Sequence, residues 1–597
     1  MEHMYEQPDN LVDLFNSAVE KFGERPLFGV KTAPNSYQWL TYQQIGQRVD
    51  HLRGGLAQLG VGRGDAVGII ARNRPEWAVI AFAAFGLGAR CVPMYETELP
   101  RIWEYIIRDS SVKVLFVASP QIAGHVQEFR GKLASLEQVV VIDSENGGSM
   151  AAVEQAGARL PIPPTPPTPR DIAVLIYTSG TTDQPKGVLL SHGNLTSNAR
   201  AGWRLFPQLN EESRSLAMLP WAHSYGLTAE LVNSLQFGGA MAFPESAATF
   251  LDDIAAIRPT LLLSVPRVFT KIYNGLLAQI NARGGLARIV FSMGMTAAKR
   301  RRELAAQGKS CPLTNLQFRI ADYLVFSKVR ALFGGQLQAA LTASATMNID
   351  IAHFFIDAGV PLYDVYGLTE CSPAVTMNCP AAWRLGSVGR PIERVTVVID
   401  KTGAGADATD GEIVVYGPNV MQGYHNKPEA TRAVLTADGG LRTGDRGRID
   451  GDGFLFITGR IKEQYKLATG KYVYPATLEE DIKVLPAVAN AMIHGEGRDF
   501  NIGLIVPNFA ALEPVIRARG WPVDPAQLVR QPDFQEYLSD EIASALQDKF
   551  RQYEIPRKFI FLAEDFTVEN GMLTQTMKLK RRAVNDAYRR QIEEKYQ

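Results

Sequence analysis

Apolar positions along the chain fall into patterns that predict its elements. Between Leu11 and Lys21 they recur at helical spacing, with Leu11, Leu14, Phe15, Ala18 and Val19 on one face and Asn10 placed to cap the helix. From Asp65 to Arg90 the order is a short apolar run, AVGII, then the turn RNRPE, then WAVIAFAAFGLGA, which is apolar on every side and ends in glycine. That order predicts strand, turn and buried helix. The β-branched runs VKVLFVAS (112–119), VVVID (139–143) and IAVLIYTS (172–179) predict strands covered by helices on both faces. An α/β sheet protein follows.

Other stretches break this rhythm. Residues 145–170 carry Gly-Gly and then a Pro-rich run, and they predict a surface connection. Residues 266–335 predict a helical, basic elaboration containing the cluster KRRRE at Lys299–Glu303. From Gly411 the pattern turns to short strands and Gly/Asp turns, as in antiparallel hairpins. After Gly459 a smaller mixed α+β unit begins and ends in a charged helix. The expected division is a large portion at 1–458 built of several subdomains, including the antiparallel one, a hinge at 459–463 and a small mobile domain at 464–597.

Composition narrows the function classes. The 597 residues hold 62 Lys+Arg against 62 Asp+Glu, so the chain lacks the concentrated positive charge of a dedicated nucleic-acid binder. Its 4 cysteines form no Cys-x-x-Cys pair, which argues against a disulfide framework or a structural zinc site. The acidic, amphipathic N-terminus does not read as a secretory signal, and Trp77–Ala89 is shorter than the roughly 20 residues that cross a bilayer. A cytoplasmic protein is expected. The Lys299–Arg302 cluster admits peripheral contact with an anionic membrane, at the inner membrane face, although a solvated helix face explains such a cluster more often.

The segment with the clearest chemistry is YTSGTTDQPKG (177–187). It follows an apolar strand and gathers two glycines, five hydroxyl side chains and Lys186 into one turn. Backbone N–H groups and hydroxyls can donate to phosphate oxygens there while the lysine offsets their charge. The turn is not a Walker loop. Alone, such a turn is more often an ordinary loop.

The segment resembles the phosphate loop of the adenylate-forming superfamily, YTSGTTGxPKGV, with Asp183 in place of a glycine. Further motifs follow in the family's order: LPWAHSYGL (219–227), DVYGLTE (364–370), RTGDRGRID (442–450), GRIKEQYKLATGKYVYP (459–475) and LTQTMKLKRR (573–582). The last is similar to the form found in long-chain acyl-CoA synthetases, with Gln575 where that form has proline. The helical segment DYLVFSKVRALFGG (322–335) resembles the same branch. Where the family has SGGAPL, this chain has LTASATM (341–347), which reshapes the acyl pocket.

The resemblance implies roles residue by residue. Thr178, Ser179, Gly180, Thr181, Thr182 and Lys186 would hold the β- and γ-phosphates of ATP, Thr369 the α-phosphate, and Glu370 a Mg²⁺ ion. Tyr366 would stack on adenine, Asp445 would accept from the ribose hydroxyls, and Arg460 would reach ribose or phosphate. Ser344, Asp364 and Gly367 belong to the same nucleotide site. Lys578 would bridge the substrate carboxylate and the α-phosphate, and His223 would wall the carboxylate site. Lys462 matches the hinge position, and Gly470 would line the pantetheine tunnel. The implied reaction joins a fatty acid, most consistent with a long chain, to CoA through an acyl-adenylate. Alternatives are transfer to the phosphopantetheine of an acyl carrier protein, a different carboxylic acid, or a catalytically degenerate nucleotide- or lipid-binding protein.

Overall fold

The computed structural model describes residues 8–144, 148–178, 184–246, 249–282, 284–345, 347–402, 409–461, 463–574 and 577–597, with side chains 281, 282 and 306 left aside. Two large sheets dominate the first part of the chain. A seven-stranded sheet runs in the order Gly423–Tyr424, Lys186–Ser191, Ile172–Thr178, Arg90–Met94, Ala66–Ile70, Val112–Val117 and Gln138–Val141. Its central strands are parallel, as their continuous apolar runs require. From Ile172–Thr178 onward it turns antiparallel: pairing with Lys186–Ser191 sets Thr178 opposite Lys186, and Gly423–Tyr424 adds a further antiparallel strand.

A nine-stranded sheet is assembled from distant pieces. Its edge hairpin, Pro26–Ala33 with Ser36–Thr41, pairs in parallel with Ala240–Ala242. Leu261–Ser264, Ala339–Thr342 and Leu362–Gly367 are parallel neighbours further along. The helix Pro75–Phe85 buries every residue except Glu76, the outcome for a helix apolar all round. Asn10 caps the helix Leu11–Phe22 by accepting from the Asp13 N–H. The antiparallel subdomain has four strands, Thr396–Asp400, Gly411–Tyr416, Leu441–Ile449 and Leu455–Arg460.

The basic region 266–335 is the crossover between the parallel strands Leu261–Ser264 and Ala339–Thr342, and it is helical throughout most of its length. Beyond residue 460 the hairpin Tyr465–Lys466/Tyr472–Val473 and a three-stranded sheet make a smaller unit. Its buried apolar residues, Leu467 to Ile592, form two clusters that contain no buried residue from the first part of the chain. Polar contacts cross to it, with Asn348 Nδ2 donating to Asp481 Oδ1 at 2.7 Å and Lys549 pairing with Asp350 and Asp481 at 3.4 Å.

One expectation is corrected. Residues 145–170 are not simply a surface connection, because Met150–Arg159 is a helix capped by Ser149 and packed along the helix Tyr42–Gln58. Glycine there serves close approach. A Cβ on Gly157 would stand 1.8 Å from the His51 carbonyl oxygen, and one on Gly55 would stand 2.2 Å from that of Val153. Only the Pro-rich residues 161–168 run without regular structure. Gly157→Ala should therefore force the two helices apart and cost on the order of 2 kcal/mol, read as a thermal midpoint several degrees lower. An unchanged midpoint would mean that the helices slide without loss.

Candidate active site

Six of the expected site residues meet in one cleft, which holds about 920 Å³ with its open mouth. They are His223, Ser344, Gly367, Thr369, Arg460 and Lys578. The lining also includes apolar or small residues such as Ala199, Gly202, Phe206, Leu209, Leu261 and Met377.

Sheet register explains much of the assembly. Asp445 and Arg460 face each other across the last two strands of the antiparallel subdomain, and Arg460 Nε forms an ion pair with Asp445 Oδ1 at 2.9 Å. Tyr366, from the nine-stranded sheet, donates its hydroxyl to Asp445 Oδ2 at 2.8 Å. Both oxygens of a buried carboxylate are thus held. Asp364 lies two residues before Tyr366 on the same strand, and burial pushes its carboxyl up to about 7.

A second chain of contacts joins Lys186, expected to meet phosphate, to Glu370, the expected metal ligand. Tyr424 pairs into the strand that Lys186 begins, the Lys186 ammonium lies 5.0 Å from the Tyr424 ring centre, and the Tyr424 hydroxyl donates to Glu370 Oε1 at 2.7 Å. Thr369 Oγ1 accepts from Ser224 Oγ at 3.2 Å. Among the described residues no three His, Cys, Asp or Glu side chains cluster for a metal. A single carboxylate nonetheless fits a Mg²⁺ ion that arrives on phosphate, since Mg²⁺ keeps water and phosphate oxygens as its other ligands.

His223 and Lys578 are shaped by their surroundings. The Tyr225 N–H donates to His223 Nδ1 at 3.2 Å, which assigns the neutral ring's proton to Nε2. Burial, and then the nearby Lys578 charge, bring His223 down to about 4, so the ring is neutral at physiological pH. Lys578 keeps solvent contact in the cleft, yet the protein around it and then Arg460 hold its ammonium below the ordinary lysine range.

Other positions differ from expectation or lie elsewhere. Ser344 lines the cleft with φ +76°, in the left-handed region that favours glycine, within the stretch where the related motif has two glycines. Gly470 does not line the cleft in this pose. It sits at the tip of the hairpin after Tyr465–Lys466 with φ +80° and no atom within 4 Å of its Cβ position, so backbone conformation, not crowding, calls for glycine. Ser179, Gly180, Thr181, Thr182, Asp183, Lys462 and Gln575 fall outside the described residues. Tyr424, Ser224 and Tyr225 went unnoticed. Ser224 and Tyr225 stand within LPWAHSYGL, but the QGYHN segment around Tyr424 has no pattern that singles out a phosphate neighbour.

Fold and site together define an adenylate-forming enzyme. The backbone matches the adenylation domain of the carboxylate reductase from Mycobacterium chelonae with a TM-score of 0.79 at 23% identity, covering 98% of this chain and 91% of that one. It also matches an anthranilate CoA ligase in complex with anthranoyl-AMP, with a TM-score of 0.73 at 21% identity over 98% of both chains. The chain belongs to the AMP-binding enzyme family, whose profile matches residues 15–425, with the family's C-terminal domain at 462–597. It is an AMP-forming acid–thiol ligase. The curated relatives include the long-chain-fatty-acid CoA ligase 6 of Homo sapiens, 30% identical over all of this chain and 88% of its own. The long-chain-fatty-acid CoA ligase FadD15 of Mycobacterium bovis is 34% identical over 91% of this chain and 90% of its own.

Two predictions follow from this geometry. Ser344→Gly should relieve roughly 1 kcal/mol of backbone strain and raise the midpoint of urea unfolding, and a lower midpoint would show that the hydroxyl contributes more than the backbone costs. Glu230, on the π-helix Tyr225–Val232 that walls the cleft, is fully buried with neither carboxyl oxygen in a well-formed hydrogen bond, and burial pushes it up to about 8 against the opposing effect of the nearby Ser215 and Trp221 donors. Its folded value exceeds the unfolded one of 4.5, so its stabilising contribution is complete below pH 4.5 and declines as pH rises to 8, by about 1.4 kcal/mol per unit. Glu230→Gln should flatten that decline in urea titrations between pH 5 and 9. Parallel curves for the two proteins would refute the assignment.

Proposed function

We propose that the protein activates a long-chain fatty acid, converting ATP, fatty acid and CoA into acyl-CoA, AMP and pyrophosphate. The observation that carries this reading is the meeting of Lys578 from the C-terminal unit with Thr369, Arg460 and His223 in one cleft whose lining is otherwise largely apolar. In the first step a carboxylate oxygen attacks the α-phosphorus and pyrophosphate leaves. In the second, the CoA thiol, having lost its proton, attacks the acyl carbon and AMP leaves.

Both steps bring anionic groups together, so positioning and charge compensation supply the catalysis. Lys578 gains most from the substrates. Its ammonium is disfavoured by burial and by Arg460, and an α-phosphate and a carboxylate would offset both. Lys186 would meet the outer phosphates, and Asp445 with Tyr366 the nucleoside. Glu370 would hold Mg²⁺, which when bound neutralises phosphate charge. Neutral His223 can offer its Nε2–H to an oxygen at the carboxylate end. The separate cores and the polar contacts across to Asp481 and Lys549 support a swing of residues 464–597 about 459–463 between the two steps, with Gly470 then brought toward the pantetheine.

The curated relatives' names favour a long alkyl acid. A second reading, an acid with an oxygenated chain, is favoured by Tyr225 Oη, Thr228 Oγ1 and Asn233 Oδ1. These three residues line the cleft, and the three atoms are buried without partners.

The test is pyrophosphate release with ATP, Mg²⁺ and acids from acetate to oleate, plus hydroxylated long acids and benzoate, each with and without CoA. Release that peaks with long acids and turns over repeatedly only with CoA is expected. A peak at hydroxy acids would select the second reading. Release without CoA dependence would point to a protein-borne thiol, and none with any acid would point to a binding protein. Lys578→Ala should lower adenylation on the order of 100-fold or more while thioester formation from supplied acyl-adenylate persists. Full activity in that variant would remove Lys578 from the reaction.

A further inference from the structure

The crossover 266–335 carries a surface that the ligase chemistry does not use. Among the described residues, seven of the seventeen exposed large apolar side chains lie between Leu286 and Leu324. The helix Pro312–Ala321 has its amphipathy reversed. It buries Thr314 and Ala321, while Leu313 is 64% exposed and Leu316 55% exposed, and Ile320 and Leu324 continue the same face at helical spacing. The helix Gly285–Ala306 packs against it through small residues, since a Cβ on Gly294 would stand 2.6 Å from that of Ala321. Arg301 lies over the Phe318 ring at 3.9 Å, so the two helices run antiparallel. That direction sets Leu286 and Ile289 at the same end as Tyr323 and Leu324.

Large apolar groups outward and small ones inward is the reverse of what water favours, and a patch of this kind marks a contact surface. Charge says what kind. Arg288, Arg319 and Lys328 stand exposed among these apolar residues and have no ion-pair partner among the described residues. The nearby acids are engaged, Asp322 by Arg330 at 2.7 Å and Glu303 by Arg300 at 3.5 Å. We propose that this face docks the enzyme on an anionic lipid bilayer, with the leucines and isoleucines entering the headgroup boundary and the free cations meeting lipid phosphates. No helix of the described residues is long and apolar enough to cross a membrane, so the contact is peripheral.

The whole protein is sedimented with vesicles of phosphatidylcholine alone or mixed with phosphatidylglycerol, at low and high salt. Binding to the mixed vesicles about tenfold or more tighter than to the neutral ones, and weakened by salt, is expected. Leu316→Ser with Ile320→Ser should lower binding about tenfold at either salt while the thermal midpoint holds. Arg319→Gln with Lys328→Gln should remove the preference for phosphatidylglycerol, and it carries the test if the first variant fails to fold. Equal binding to both vesicles, or binding untouched by either pair of changes, would overturn the proposal. So would a failure to bind vesicles accompanied by concentration-dependent dimers that the serine variant abolishes, which would assign the face to a second copy of the chain.

Discussion

The carboxylate of Asp445 is the point on which the site depends. It belongs to the antiparallel subdomain, receives the hydroxyl of Tyr366 from the nine-stranded sheet, and pairs with Arg460, the last residue of the strand leading into the C-terminal unit. One buried carboxylate thereby ties the antiparallel subdomain to the nine-stranded sheet, beside the point where the chain enters the C-terminal unit. Its removal would leave Arg460 facing Lys578 with less compensation, in a cleft where each already disfavours the other's charge. Free of substrate, the site is a set of cations and donors held in place, and such a site stabilises an anion without reorganising when it arrives.

How much of this was legible in the sequence depends on whether the signal was local. Continuous apolar runs identified the strands at 66–70, 112–117 and 172–178 because parallel strands must be apolar on both faces. The ordered motifs named His223, Thr369, Arg460 and Lys578, which meet in the cleft, because each motif is short and its pattern is local. The helix Met150–Arg159 escaped because the Gly-Gly before it and the Pro-rich run after it read as a connection, and only the partner helix reveals that its own Gly157 permits close approach. Tyr424 escaped for a related reason. Its importance comes from pairing with the strand that begins at Lys186, more than two hundred residues earlier, and no local period encodes that.

Ser344 and Glu230 mark the places where local rules are broken. A serine in a left-handed conformation and a fully buried carboxyl without a well-formed hydrogen bond each cost stability; Ser344 lines the cleft, and Glu230 sits behind its wall on the helix whose Tyr225 and Thr228 line it. Sequences tend to retain such violations where function demands a particular shape. The π-helix that carries Glu230 also turns Tyr225 and Thr228 toward the cleft, so the strain and the polar wall have a common structural source.

The two units of the enzyme are joined by contacts suited to breaking. Each keeps its own apolar core, and apart from the half-buried Val484, which packs against the large unit's core, what crosses between them near Asp481 and Lys549 is polar or ionic, of the kind that water replaces at little cost. A large apolar interface would hold one pose too firmly for a ligase whose two half-reactions place different groups against the same carbon. The apolar surface that such mobility forbids between the units is instead concentrated on the crossover helices. That crossover belongs to the large unit, so a contact made there leaves the C-terminal unit free to swing.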